Sequence, residues 1–193
     1  MFPTVILIFA VIAYRLAFAF SGIQADWANF SPLAAITFCS AVFFTRKIAL
    51  FIPIIAILVS DLILNAHYQV ALFDTGMLSR YFSFWIILML GFWVRKQQQC
   101  KLLYLLLSTV VGSLIFYVVT NTDAWLMQPE YKKNLAGWVQ ALTIGLPNGY
   151  PPTLLYFRNT IVSDLLFTGL FVATQTAFTK PTVMQLGKVR HSH

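Results

Sequence analysis

Apolar residues along this chain neither alternate with polar ones nor recur against a polar face. They run on. Six stretches, at about 3–22, 30–45, 48–65, 79–94, 102–120 and 155–178, are almost continuously apolar. A run of about 20 such residues can cross the ~30 Å hydrocarbon core of a bilayer as a helix. Continuous runs also exclude transmembrane β-strands, which alternate. The pattern predicts an all-α membrane protein with six transmembrane helices. The second and fourth runs are short, at about 16 residues. No Pro/Gly/Ser-rich linker divides the chain, so 1–180 reads as a single transmembrane domain and 181–193 as a short basic tail.

Composition agrees. Of 193 residues, 59% are hydrophobic and 10% charged, whereas a soluble domain carries about 25% charged residues. The net charge of +7 would fit a nucleic-acid partner if it were clustered on one surface, but its distribution follows topology instead. Arg46, Lys47, Arg95, Lys96, Lys101, Lys180, Lys188 and Arg190 fall in connections on one side, with no acid among them. Arg80, Lys132, Lys133, Asp26, Asp74, Asp123 and Glu130 fall on the other. The positive-inside rule then places both termini in the cytoplasm. The N-terminus, Met1-Phe2-Pro3, has no positive region and its apolar run continues past Arg15, so a cleaved signal peptide is not expected. Cys39 lies in an apolar run and Cys100 in a basic loop, which suggests neither a disulfide nor a cysteine metal site.

The charges inside the runs carry the functional signal. Arg15, Asp61, Arg158 and Asp164 all fall in the outer half of their predicted helices, with Asn159 beside Arg158. A charge at membrane depth costs at least a few kcal/mol and faces a partner or a wet cavity. Two of each sign at one depth point to a neutralised cluster lining an outward-facing pocket, with each aspartate paired to an arginine. The alternative is structural: aspartates clamping helices and Arg15 snorkelling to the headgroups. Two outer connections, 65–80 and 121–154, would gate the pocket, placing His67, Tyr68, Asn121 and Trp125 at its mouth. "NLAGWVQALTIGL" reads as an interfacial helix or lid. Trp27, Trp125, Trp138, Tyr131 and Tyr150 fit either an aromatic belt or ligand stacking. Ala13 and Ala17, four apart in the first run, suit close helix packing, within the chain or with a partner. No P-loop, HExxH, GxSxG or paired-cysteine motif is present.

"NFSPLAAITF" (29–38), "SDLILNAHY" (60–68), "FYVVTNTDAWL" (116–126) and "FRNTIVSDLLFTG" (157–169) together resemble a family of small six-helix bacterial inner-membrane proteins. In layout that family is similar to the substrate-binding S components of energy-coupling factor (ECF) vitamin transporters. The resemblance implies a multi-pass protein of the bacterial inner membrane with a vitamin site near the outer face. It also implies that Ala13 and Ala17 dock on an ECF coupling subunit served by ATPases. A narrower resemblance, to cobalamin-binding S components of the BtuM type, makes cobalamin the leading ligand. No cysteine falls on the outer side, so His67 becomes the candidate axial ligand for cobalt.

The expectation is a non-enzymatic subunit that binds a vitamin or related small molecule, with no intrinsic cofactor and no nucleic-acid partner. Asp61, Arg158, Asn159 and Asp164 would form the polar floor and walls of its site, and Arg15 would neutralise them. The rivals are a proton-coupled secondary transporter, in which Asp61 or Asp164 titrates, a purely structural membrane subunit, and an enzyme acting on lipid.

Overall fold

A computed structural model describes residues 2–20, 27, 29–67, 69, 75–97, 102–147 and 151–178. These form seven helices and no strand: α1 (Phe2–Phe20), α2 (Leu33–Phe43), α3 (Arg46–His67), α4 (Thr75–Lys96), α5 (Leu102–Met127), α6 (Leu135–Leu142) and α7 (Thr153–Phe178). Among the described residues, four helices are long and apolar enough to cross a membrane: α3, α4, α5 and α7. They mark a membrane-embedded protein. Tyr68, Asp74, Cys100, Tyr150 and the tail from Lys180 lie outside the described residues.

The connections set the directions of the helices. The α3 start and the α4 end share one end of the bundle, where the Arg95 guanidinium donates to the Phe44 carbonyl. Arg46, Lys47 and Lys96 lie at this basic end. At the opposite end, Ser79 near the α4 start donates to Asp123 near the α5 end at 3.0 Å. Helix α6 packs there against α5 and α7. Helix α1 runs parallel to α3: Arg15 meets Asp61, and five residues on Phe20 meets His67.

Helix α2 is the departure from the six-span pattern. The apolar run suggested 30–45, but the helix has 11 residues. At 1.5 Å per residue that is about 16 Å, roughly half the hydrocarbon thickness. It begins after Ser31-Pro32, where proline stands at the N-cap and suits a helix start. Every residue from Leu33 to Val42 is buried, because α3, α4, α5 and α7 surround it. A helix apolar on all sides belongs in such a position. Its Ala34, Ala35, Ser40 and Ala41 let neighbours approach closely. Gly91 of α4 is the tightest case: a Cβ there would sit 2.6 Å from Ala41 Cβ and 2.8 Å from the Phe38 carbonyl oxygen.

A short buried helix has unmet backbone groups at both ends, and here neighbouring helices meet them. The Pro32 N-cap offers no side-chain hydrogen bond. Asp164 of α7 supplies it in trans, accepting from the Ala35 N–H at 3.0 Å. At the other end Arg95 serves the carbonyl of the C-cap residue Phe44. A carboxylate at the N-terminus and a guanidinium at the C-terminus both complement the helix dipole.

Candidate functional site

Three elements converge on the polar centre of the molecule. Helix α1 brings Arg15 and α3 brings Ser60 and Asp61. Helix α4 brings Arg80, because it begins at Thr75 and so holds Arg80 in its second turn. Arg15 donates to Ser60 Oγ and to Asp61 Oδ1, the latter at 2.9 Å. Arg80 Nη2 lies 3.8 Å from Asp61 Oδ2, an ion-pair distance beyond hydrogen-bond reach. Asp61 is therefore flanked by two guanidinium groups and is itself 6% exposed.

This cluster lines a chamber of about 100 Å³. Asn29 and Ser31 form one wall, immediately before α2, and Leu33 and Ala34 from its first turn continue that wall. Ile57, Phe84, Phe116 and Thr160 close the remaining sides. Asn29 has φ +64°, a left-handed conformation that asparagine tolerates better than most residues. The chain thereby turns to enter α2 within the bundle. Around it Tyr14, Phe30 and Phe167 form an aromatic cluster, with ring centroids 5.3 Å apart for Tyr14–Phe167 and 6.2 Å for Tyr14–Phe30.

A second cavity, of about 300 Å³, lies toward the α6 end. Ser79, Thr120, Asp123 and Met127 line it. Asn29, Arg80 and Phe116 belong to both cavities. The two cavities adjoin at these three residues, and the larger, nearer the α6 end, is termed the vestibule. A third cavity of about 490 Å³, lined by Gly145, Leu146, Pro151 and Thr153 among others, shares Gln128 with it.

The expected site residues divide on this geometry. Arg15 and Asp61 meet, as an arginine–aspartate pair. Asp164 pairs with no arginine among the described residues. It is fully buried and joins three helices, accepting from Ala35 N–H on α2 and from Ser113 Oγ on α5 at 2.7 Å. Below it Thr109 and Thr168 bridge α5 and α7 at 3.1 Å. Arg158 is exposed and donates to the neighbouring Asn159 Oδ1 at 3.1 Å, while Asn159 is 2% exposed. None of Arg158, Asn159 and Asp164 lines the chamber or the vestibule.

Asn121 and Trp125 sit within α5, which runs seven residues past the predicted end at 120. Asn121 donates to the Tyr117 carbonyl at 2.8 Å, and Trp125 Nε1 to the Lys132 carbonyl at 2.9 Å. The vestibule wall there is made instead by Thr120, Asp123 and Ala124, on a neighbouring face of the same helix. His67 ends α3, exposed, with its ring against Phe20 at 4.6 Å. No group of three metal-ligating side chains occurs among the described residues. The 135–142 part of the expected interfacial segment is helix α6, capped by Asn134, which accepts from Gly137 N–H at 2.9 Å. Trp138 ties it to α5 by donating to Thr122 at 3.0 Å. Ala13 and Ala17 are exposed on α1, on the same side as Ala10.

Sequence reasoning missed Arg80, Ser31, Phe116 and Thr160. The signals were present: Arg80 abuts an apolar run, and Ser31 is half of a Ser-Pro helix start.

No curated protein and no solved structure matches this chain. One family model does, over residues 1–186, and by that match the chain belongs to the family of unknown function DUF6580.

Proposed function

We propose that the protein is a membrane-embedded receptor for a small polar solute, of the kind an S component provides to an energy-coupling factor uptake system. The observation that carries this reading is the pair of adjoining cavities. A chamber walled in part by Arg15, Asp61 and Arg80 adjoins, at Arg80 and Phe116, a vestibule at one end of the bundle. An apolar enclosure with a few convergent polar groups is the usual form of a small-molecule site. Placing the basic end in the cytoplasm turns the vestibule to the outside of a bacterial inner membrane, which suits uptake. The role proposed is binding rather than catalysis. The exposed Ala10, Ala13 and Ala17 on α1 support a docking face for a coupling subunit, since small residues permit close helix approach in lipid.

Size narrows the ligand. Sites for drug-sized molecules measure about 300–1,000 Å³, and the chamber measures about 100 Å³. A corrin is larger still, so the solute proposed here is smaller than cobalamin.

The test is purification from native membranes in mild detergent, followed by mass spectrometry of the small molecules released on denaturation. A Met127→Cys variant then places a thiol in the vestibule for labelling by a membrane-impermeant maleimide. A co-purified solute near one per chain that slows labelling of whole cells is the expected result. A protein that carries no solute, and whose labelling no cell extract slows, would refute the receptor reading.

A further inference from the structure

The walls of the chamber make two different demands on whatever fills it. The first comes from α2. The opening N–H groups of an α-helix have no acceptor within the helix. Asp164 takes that of Ala35, while Leu33 and Ala34, which carry the two before it, line the chamber. The positive end of a buried 11-residue helix thus faces the chamber and favours negative charge there. Arg80, at the mouth, adds a planar fork of donors suited to a carboxylate.

The second demand is opposite in sign and independent of the helix. Asp61 is 6% exposed, and Arg15 holds its Oδ1. Its Oδ2 is buried with no hydrogen-bond partner among the described residues. Asp61 lines the same chamber, and Arg80 Nη2 stands 3.8 Å from this oxygen, beyond hydrogen-bond reach. A buried carboxylate oxygen left without a hydrogen-bond donor is costly, and one on a residue that lines a cavity calls for a donor from the occupant. Ser31 Oγ, on the facing wall, is buried and without a partner among the described residues as well.

A simple anion would suit the helix end and leave Asp61 unanswered. A simple cation would do the reverse. A molecule carrying both poles answers both. Resting on the receptor reading above, we propose that the chamber binds a small carboxylate bearing an amino or hydroxyl donor on the adjacent carbon, an α-amino or α-hydroxy acid. Its carboxylate faces the α2 N-terminus and Arg80, and its donor reaches Asp61 Oδ2 and Ser31. The volume fits, since 100 Å³ is the space of about three water molecules. Ile57 and Phe84 close the chamber against longer side chains.

The experiment is calorimetric titration of the full chain in detergent with four probes. Glycine and glycolate carry both groups, acetate only the carboxylate and ethanolamine only the donors. The expected result is saturable binding, near one per chain, of glycine or glycolate. It should be about ten- to a hundredfold tighter than acetate or ethanolamine, the value of one hydrogen bond to a charged group. Arg80→Gln should weaken that binding about tenfold or more, and Arg158→Gln, outside both cavities, should leave it unchanged. Acetate or ethanolamine binding as tightly as the two-pole probes would overturn the ligand class while leaving a receptor for another solute standing. Binding unaltered by Arg80→Gln would overturn the placement. Failure of all four probes would overturn the inference too, and the solute co-purified from native membranes would decide the receptor reading separately. The comparison among probes uses the native chain, so it stands even if a variant fails to fold.

Discussion

Asp164 offers the sharpest contrast between two accounts of a membrane carboxylate. If it were the counter-charge of a buried arginine, Asp164→Asn would strand that arginine and cost about 3–5 kcal/mol. The structure gives it a different task, accepting from Ala35 N–H at 3.0 Å and Ser113 Oγ at 2.7 Å. An asparagine can do most of that. Its carbonyl still accepts from Ala35, and its amide donates to Ser113 Oγ. Ser113 in turn redirects its proton to the Thr109 carbonyl, already 3.1 Å away. Asp164→Asn should therefore change stability by less than about 1 kcal/mol, the value of an ordinary net hydrogen bond. Asp164→Ala removes the acceptor and leaves the N–H of Ala35 buried and unmet, a cost of about 1–3 kcal/mol. Loss of the cap is that same bond, so it is not added again. At roughly 2–4 °C per kcal/mol for a chain of this size, the alanine variant should melt about 2–12 °C lower. Cys39 makes the assay simple, being fully buried beside Thr168. In a Cys100→Ser background, a thiol-reactive dye reports unfolding as Cys39 becomes exposed. An asparagine variant as unstable as the alanine variant would refute the capping account and restore an ionic one.

The ion pair at the chamber should behave in the opposite way. Asp61→Ala leaves Arg15 and Arg80 facing each other without the carboxylate between them, and should cost about 3–5 kcal/mol, whereas Arg15→Gln should cost less because Arg15 is 20% exposed at its side chain. The double variant should be less unstable than the sum of the two, and simple additivity in the melting assay would show that the 2.9 Å contact contributes nothing. Gly91→Ala should destabilise by about 1–3 kcal/mol through overpacking, since its Cβ would meet Ala41 at 2.6 Å. Gly112→Ala, with nearest neighbour atoms at 3.7 Å, should be neutral or slightly stabilising, and equal melting of the two would refute the close-contact reading. Burial, with Glu130 beside it, holds the Tyr131 phenol above its ordinary value of 10.0. The unfolded chain therefore loses this proton first, so this contribution is fully present below pH 10 and declines as pH rises above it. Tyr131→Phe should flatten that alkaline loss, and an unchanged alkaline melting profile would count against it.

The sequence makes the membrane bundle plain and the partners of its charges obscure, for a physical reason. An apolar run is a local property, so α3, α4, α5 and α7 could be read from it directly. Who meets whom is a tertiary property. Asp164 was visible as an expensive residue needing a partner, and an arginine was the natural candidate because only side chains carry visible charge in a sequence. Its partners are a serine hydroxyl and a backbone N–H, the latter present at nearly every position and unmet only because α2 starts inside the bundle. The cue for that start was Ser31-Pro32, but an apolar run that continues on both sides of a proline hides a helix end. Arg80 was hidden by the same kind of error at a boundary. Read at the junction of the 65–80 connection and a run starting at 79, it belongs to the outer surface, whereas in the second turn of a helix from Thr75 it faces Asp61. Both omissions fall on one feature. A half-length helix beginning at membrane depth creates unpaired backbone donors there. A charged residue nearby then serves as a cap, as Asp164 does, or helps to build a cavity, as Asp61 does. Hydrogen bonding of the second oxygen separates the two cases: in Asp164 both oxygens accept hydrogen bonds from the protein, and in Asp61 Oδ2 accepts none from the described residues.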